Sequence, residues 1–128
     1  MIGNGISVRP SLRGGRGVFA DRCFKKGEVI EKCPIVRVPS NQLELLYDTV
    51  LGDYVYPWID EIEEGALPLG YGLLYNHSFK PNADWVQDFS EMTQSYVALR
   101  DIEVGEEITV NYNGPSDDDT PVWFELHD

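Results

Sequence analysis

Basic charge, cysteine and long apolar runs are what this sequence has least of. Ten Lys and Arg residues face 22 Asp and Glu, a formal net charge of −12 over 128 residues. Neutralising duplex phosphates takes a basic footprint, so nucleic acid is not expected as a direct partner. The two cysteines, Cys23 and Cys33, form no CxxC pair. That argues against a metal centre and against a disulfide framework. Both are expected as small, partly buried apolar residues in strands. No run approaches the roughly 18 apolar residues of a membrane span, so no membrane partner is expected. Met1-Ile2-Gly3-Asn4-Gly5 lacks the basic-then-apolar pattern of an export leader. An intracellular location is the resulting expectation.

The acidic excess itself has two readings that the sequence leaves open. It serves solubility, including in high salt, or its field draws cationic partners such as basic peptide tails. A chain of this length is expected to form one domain, residues 1–128, burying about two thirds of its unfolded surface. Its fold class reads as mainly β with one or two short helices. Ile6-Ser7-Val8-Arg9 alternates as a half-buried strand, and Arg13-Gly14-Gly15-Arg16-Gly17 breaks it. Val18-Phe19-Ala20 resumes extended structure. Glu28 to Val38 alternates as one or two strands, with Pro34 bending it or placing it on an edge.

Ser40 is a candidate helix cap. Leu43, Leu46, Tyr47, Val50 and Leu51 follow at helical spacing, with Gly52 as a stop. Pro57 to Pro68 is acidic and reads as a loop, so residues 40–65 form a helical insert. Ala83 to Val86 and Ser95 to Leu99 read as paired strands, and Ile108 to Tyr112 as another. Residues 113–128 carry a Gly/Pro/Asp loop and then Trp123-Phe124, two large aromatics expected to fold back onto the body.

The most informative stretch is Gly72-Leu73-Leu74-Tyr75-Asn76-His77-Ser78-Phe79-Lys80-Pro81-Asn82, which holds one of only two histidines. An apolar run enters it and turn chemistry leaves it. It reads as a strand end and loop, or as a buried edge holding polar groups toward a small ligand. No Ser or Cys stands in a nucleophile-elbow context, so a catalytic triad is a poor reading.

Four segments recur in a meaningful order: Gly15-Arg16-Gly17-Val18-Phe19-Ala20, Asp53-Tyr54, Asn76-His77-Ser78 through Pro81-Asn82, and Gly105-Glu106-Glu107-Ile108-Thr109-Val110-Asn111-Tyr112. In this order and spacing the chain resembles a SET domain, the fold of protein lysine methyltransferases, over core residues 6–112. It looks most like the minimal stand-alone members of bacteria and large DNA viruses. The resemblance implies a β-clip fold of several small sheets, with a C-terminal pseudoknot that brings the Asn76-His77 loop beside the Tyr112 strand. It implies S-adenosyl-L-methionine as cofactor and transfer of its methyl group to a lysine ε-amine of a basic protein, such as a histone tail or a bacterial basic protein. Such a chain would work in the cytoplasm of a bacterium, or in the host nucleus if viral or eukaryotic.

The resemblance also implies roles. Arg16 and Gly17 lie against the methionine part of the cofactor; their plainer reading is a tight turn. Asn76 holds the methionine end and the His77 backbone the adenine. Tyr112 and Tyr54 are the catalytic channel tyrosines, either of which also reads as a core residue. Trp85 and Val110 sit where other members place aromatics of the lysine channel, and Val110 replaces a Phe or Tyr that limits how many methyls are added. No zinc-bound C-terminal module is expected, and residues 113–128 are a candidate flap in which Trp123 packs over the cofactor or simply joins the core. A homodimer would complete the substrate groove of so small a domain. Two other functions remain as alternatives: a non-catalytic SET-like module that binds cofactor or a basic peptide, and an acidic decoy for nucleic-acid-binding proteins.

Overall fold

Strand alternation at the N-terminus builds the first sheet. In the computed structural model, which describes residues 5–114, β1 (Ile6–Pro10) runs antiparallel to β2 (Arg16–Ala20), with Ile6 opposite Ala20 and Pro10 opposite Arg16. Ile6, Val18 and Ala20 turn to the core, while Ser7, Arg9, Gly17 and Phe19 share the outer face. The connecting turn closes through Ser11 N–H to Gly15 carbonyl at 3.0 Å, and it needs positive φ at Gly14 and Gly15. β9 (Glu107–Val110) pairs antiparallel with β2, and the two-residue β6 (Asn76–His77) pairs parallel with β9. The sheet order is β1-β2-β9-β6.

The second sheet is ordered β4-β5-β3-β8-β7. Its spine is the ten-residue β3 (Val29–Val38). The first part of β3 pairs with β8 (Thr93–Ala98), and the last four residues pair with β5 (Glu63–Pro68). Pro34 is therefore not on an edge. It sits where β3 changes partner, and its carbonyl accepts the Leu69 N–H at 2.9 Å. A residue without an N–H is tolerated at such a junction.

The helix α1 (Ser40–Tyr47) is shorter than the spacing predicts. Pro39 occupies the N-cap, so Ser40 lies inside the helix and caps nothing. Of the apolar residues at helical spacing, only Leu43 is buried; Tyr47, Val50 and Leu51 are exposed. A 3-10 turn, Val50–Asp53, contains Gly52. The acidic stretch expected as a loop is a hairpin, β4 (Tyr56–Ile59) against β5. Tyr56 and Trp58 point inward, with Pro57 and Ile59 outward, a period of two that the surrounding carboxylates mask. β7 (Ala83–Asp88) closes the far edge against β8 as expected.

The main core joins the two sheets. Val18, Phe24, Tyr75, Tyr96, Ile102, Ile108 and Val110 are fully buried, and Tyr75 and Tyr96 stack with centroids 3.9 Å apart. A smaller cluster holds Ile35, Tyr56, Trp58 and Ala66, and Trp85 packs against both. Cys33 is buried in β3 as expected, but Cys23 is exposed and lies outside any strand.

Asn82 stands in for a missing strand neighbour. Its Nδ2 donates to the Glu107 carbonyl at 2.8 Å and its Oδ1 accepts the Thr109 N–H at 2.9 Å. Removing it strands two peptide groups of β9. Asn82→Ala should therefore lose about 2 kcal/mol of stability in urea unfolding. Asn82→Asp should lose at least as much at neutral pH, because a carboxylate oxygen would then face the Glu107 carbonyl; wild-type stability in both variants would refute this role.

Candidate active site

The turn before β2 delivers Arg16 and Gly17 to a polar cradle on the outer face of the first sheet. A side chain on Gly17 would strike the Glu107 carboxylate and the Asn76 amide. Asn76 Nδ2 donates to the Arg16 carbonyl at 2.9 Å and to Glu107 Oε2 at 2.8 Å. Glu107 Oε1 accepts the Ser11 hydroxyl at 2.7 Å, and the Arg13 guanidinium stands 3.7 Å away. It is thus the backbone of Arg16 that joins the cradle, while its residue as a whole is exposed. Beside the cradle runs an open groove of about 490 Å³, lined by Arg13, Phe19, Lys80, Arg100, Glu107 and Thr109 among others. That volume is in the usual range for small-molecule sites, about 300–1,000 Å³. Cationic side chains for a carboxylate, an amide and carboxylate for an ammonium, and an aromatic face fit an amino-acid nucleoside such as S-adenosylmethionine.

The second concavity is a narrow cavity of about 40 Å³ walled by Asp53, Tyr54, Val55, Tyr56, Pro57, Leu73 and Tyr112. Tyr112 lies two residues beyond β9, not at the end of the strand. Its N–H donates to His77 Nδ1 at 3.0 Å, and its hydroxyl donates to the Tyr75 carbonyl at 2.5 Å. Tyr54 follows the 3-10 turn and is 40% exposed. Tyr56 is buried beside Tyr112, ring centroids 6.3 Å apart, and meets Trp85 edge-on at 4.9 Å. Burial raises the Tyr112 pKa far above the phenol range, with Tyr56, Tyr54 and Glu107 adding to it. Burial likewise raises that of Tyr56. Both therefore stay protonated, and neither serves as a base.

Sequence reasoning brought most of these residues to one place and misplaced some. Asn76, His77, Gly17, Tyr54 and Tyr112 gather around the two concavities. Val110 does not line the cavity; it is fully buried in the main core, because its strand register pairs it with His77. Trp85 sits one layer behind the wall, its indole N–H donating to the Asn111 carbonyl at 2.9 Å. Trp123 lies outside the described residues. Tyr56 was missed, although the Tyr56-Pro57-Trp58-Ile59 alternation was the available signal. Glu107 was read only as part of a motif.

Three comparisons bear on this geometry. The family model for the SET domain matches residues 15–113. The chain belongs to the SET-domain family. The curated histone-lysine N-methyltransferase of Schizosaccharomyces pombe, specific for H3 lysine-37, is 33% identical over 126 residues, covering 98% of this chain and 80% of the relative. A crystal structure of a candidate histone methyltransferase from Plasmodium falciparum superposes with a TM-score of 0.64 at 33% identity, over 84% of this chain and 96% of that one. This SET domain is a protein lysine methyltransferase, an enzyme of a family that uses S-adenosylmethionine generally.

His77 couples the site to pH. Burial, then the Arg13 charge, lowers its pKa, and Nδ1 is committed as an acceptor. The folded state therefore resists a proton that the unfolded state takes up near pH 6.5. His77 should contribute nothing pH-dependent above about pH 7 and should cost stability as pH falls from 6.5 to 5. Urea unfolding of wild type and His77→Asn across that window checks this; identical pH slopes would sink it.

Proposed function

We propose that this SET domain binds S-adenosylmethionine in the groove beside Gly17 and Asn76 and methylates a lysine of a histone-type basic tail that enters the tyrosine-walled cavity. The observation carrying this reading is that one strand serves both concavities. Glu107 of β9 bonds Asn76 in the cradle, and the same chain turns after Val110 to put Tyr112 in the cavity wall. The H3 lysine-37 enzyme is a 33% identical relative, which favours a histone tail over other basic proteins. The net charge of −12 favours a cationic tail of either kind.

S-adenosylmethionine supplies a methyl group already activated on a sulfonium. What remains for the protein is alignment and a neutral amine. Free lysine has a pKa near 10.4, so deprotonating it at pH 8 costs about 3 kcal/mol. The cavity lowers that cost by excluding water from the ammonium. Tyr112 and Tyr54 line the path of the amine. Arg16, through its carbonyl, and Asn76 hold the amino-acid end of the cofactor, and Gly17 leaves room for it. His77 fixes the backbone of Tyr112 and acts as no base.

Incubation with labelled S-adenosylmethionine and recombinant histones tests the reading. Label should appear on lysine, rise from pH 7 to 9, and fall at least a hundredfold in Tyr112→Phe, roughly what a lost transition-state contact costs. Absence of label with every basic protein, despite tight cofactor binding, would instead indicate a non-catalytic module. Asn76→Ala should weaken cofactor binding by about tenfold or more in calorimetry. A wild-type affinity in that variant would remove Asn76 from the site.

A further inference from the structure

We infer that Glu31, which lines neither concavity, is a positioning residue for methyl transfer: it grips the turn between β5 and β6 at two points and so fixes the Tyr75 carbonyl that aims the Tyr112 hydroxyl. The inference rests on the methyltransferase reading above and adds to it a residue outside the site.

Residues 69–75 join β5 to β6 and belong to no strand. They and the residue after them nevertheless supply three parts of the site. Leu73 is a wall of the cavity, the Tyr75 carbonyl accepts the Tyr112 hydroxyl, and Asn76 enters the cradle. Backbone without ladder partners must be held by other groups. Leu69 N–H donates to the Pro34 carbonyl at 2.9 Å, and the Gly72 carbonyl accepts the Tyr96 hydroxyl at 2.7 Å. Glu31 of β3 holds the stretch that carries the site. Its Oε1 accepts the Tyr75 hydroxyl at 2.7 Å, and its Oε2 accepts the Tyr71 N–H at 3.0 Å. One carboxylate thus brackets the turn from Tyr71 to Tyr75.

Turn and carboxylate are fitted to each other. A side chain on Gly70 would come within 2.3 Å of Glu31 Oε2, and Gly70 has φ +65°, which favours glycine. The Tyr75 ring is held by its stack on Tyr96, with centroids 3.9 Å apart. Burial, then the Glu31 charge, keeps the Tyr75 phenol protonated, so it remains a donor to that carboxylate. Tyr112 in turn gives its single hydrogen to the Tyr75 carbonyl, so a drift of that carbonyl turns the Tyr112 phenol with it. Misplacing an aligned group by about 1 Å can cost about a hundredfold in rate. Methyl transfer from a sulfonium depends on alignment, so losing the Glu31 grip should cost turnover more than binding.

The test measures steady-state methyl transfer to a histone-tail peptide, with urea unfolding of each variant alongside. Tyr75→Phe keeps the stacked ring and the carbonyl and removes the hydroxyl alone. It should lower kcat about tenfold while the peptide KM changes about twofold or less. Glu31→Asp keeps the charge but is one methylene short of its partners, and it should lose kcat to a similar extent. Glu31→Gln keeps the length and one acceptor oxygen, and it should lose less than Glu31→Asp. In Tyr112→Phe there is no hydroxyl to aim, so adding Tyr75→Phe should cost about twofold or less. A folded Tyr75→Phe with wild-type kcat overturns the inference. So does a tenfold loss that persists undiminished on Tyr112→Phe, the mark of a general loosening. Should Tyr75→Phe fail to fold, Glu31→Asp at the wild-type kcat overturns it equally. A wild type that labels no lysine overturns the methyltransferase reading itself, a separate outcome that needs no variant.

Discussion

Two residues of parallel pairing carry the site. Asn76 and His77 lie beside Thr109 and Val110, although some thirty residues separate them in sequence. Parallel ladders are slightly weaker per residue than antiparallel ones, and this one is very short. Side chains and neighbouring peptides extend it. Ser78 N–H reaches the Val110 carbonyl at 2.9 Å, His77 Nδ1 takes the Tyr112 N–H, and the Asn82 amide brackets Glu107 and Thr109. The intervening chain forms the β7–β8 hairpin of the other sheet, so the pairing also ties the two sheets together. Loosening it would disperse cradle, cavity and core at once.

The alternation of β9 then divides the work. Ile108 and Val110 face the core and are fully buried. Glu107 and Thr109 face the polar groove. After Val110 the chain turns, and Tyr112 reaches a cavity whose walls come largely from the second sheet and the 3-10 turn. Four residues and a turn thus place charged recognition on one side and neutral aromatic walls on the other. This arrangement suits the proposed reaction, in which the nucleoside would bring both positive and negative groups and the accepting amine must be uncharged.

How much of this was readable in the sequence depends on what kind of contact decided each feature. Strands with one wet face, such as β1 and β7, announced themselves by alternation. The ordered motifs located Gly17, Asn76 and Tyr112 because each needs a particular residue type at close approach. The β4–β5 hairpin was hidden by the carboxylates of its turn and of the start of β5, Asp60, Glu61, Glu63 and Glu64, and by Gly65, where the chain passes close against Leu43 and Val55. The apolar spacing after Ser40 suggested more helix than forms, because Tyr47, Val50 and Leu51 of that stripe stay exposed. Val110 and Trp85 were expected in the cavity from position alone. Strand register and one hydrogen bond, neither visible in sequence, put them elsewhere.

The acidity of the molecule and the neutrality of its cavity are complementary. A carboxylate beside a bound lysine would stabilise the ammonium and oppose deprotonation. Among the described residues, the one carboxylate lining the cavity, Asp53, is itself exposed, so water screens it, as it does Asp60, Glu61 and Glu63 on the neighbouring hairpin. Outside, their field raises the local concentration of cationic chains. Inside, the Tyr112 hydroxyl is committed to the Tyr75 carbonyl and Tyr56 stays protonated, so the walls present dipoles rather than charge. Such dipoles bind N–H groups without holding the extra proton in place. On the proposed path, a lysine drawn in by the surface would therefore meet an environment that favours losing the charge that attracted it.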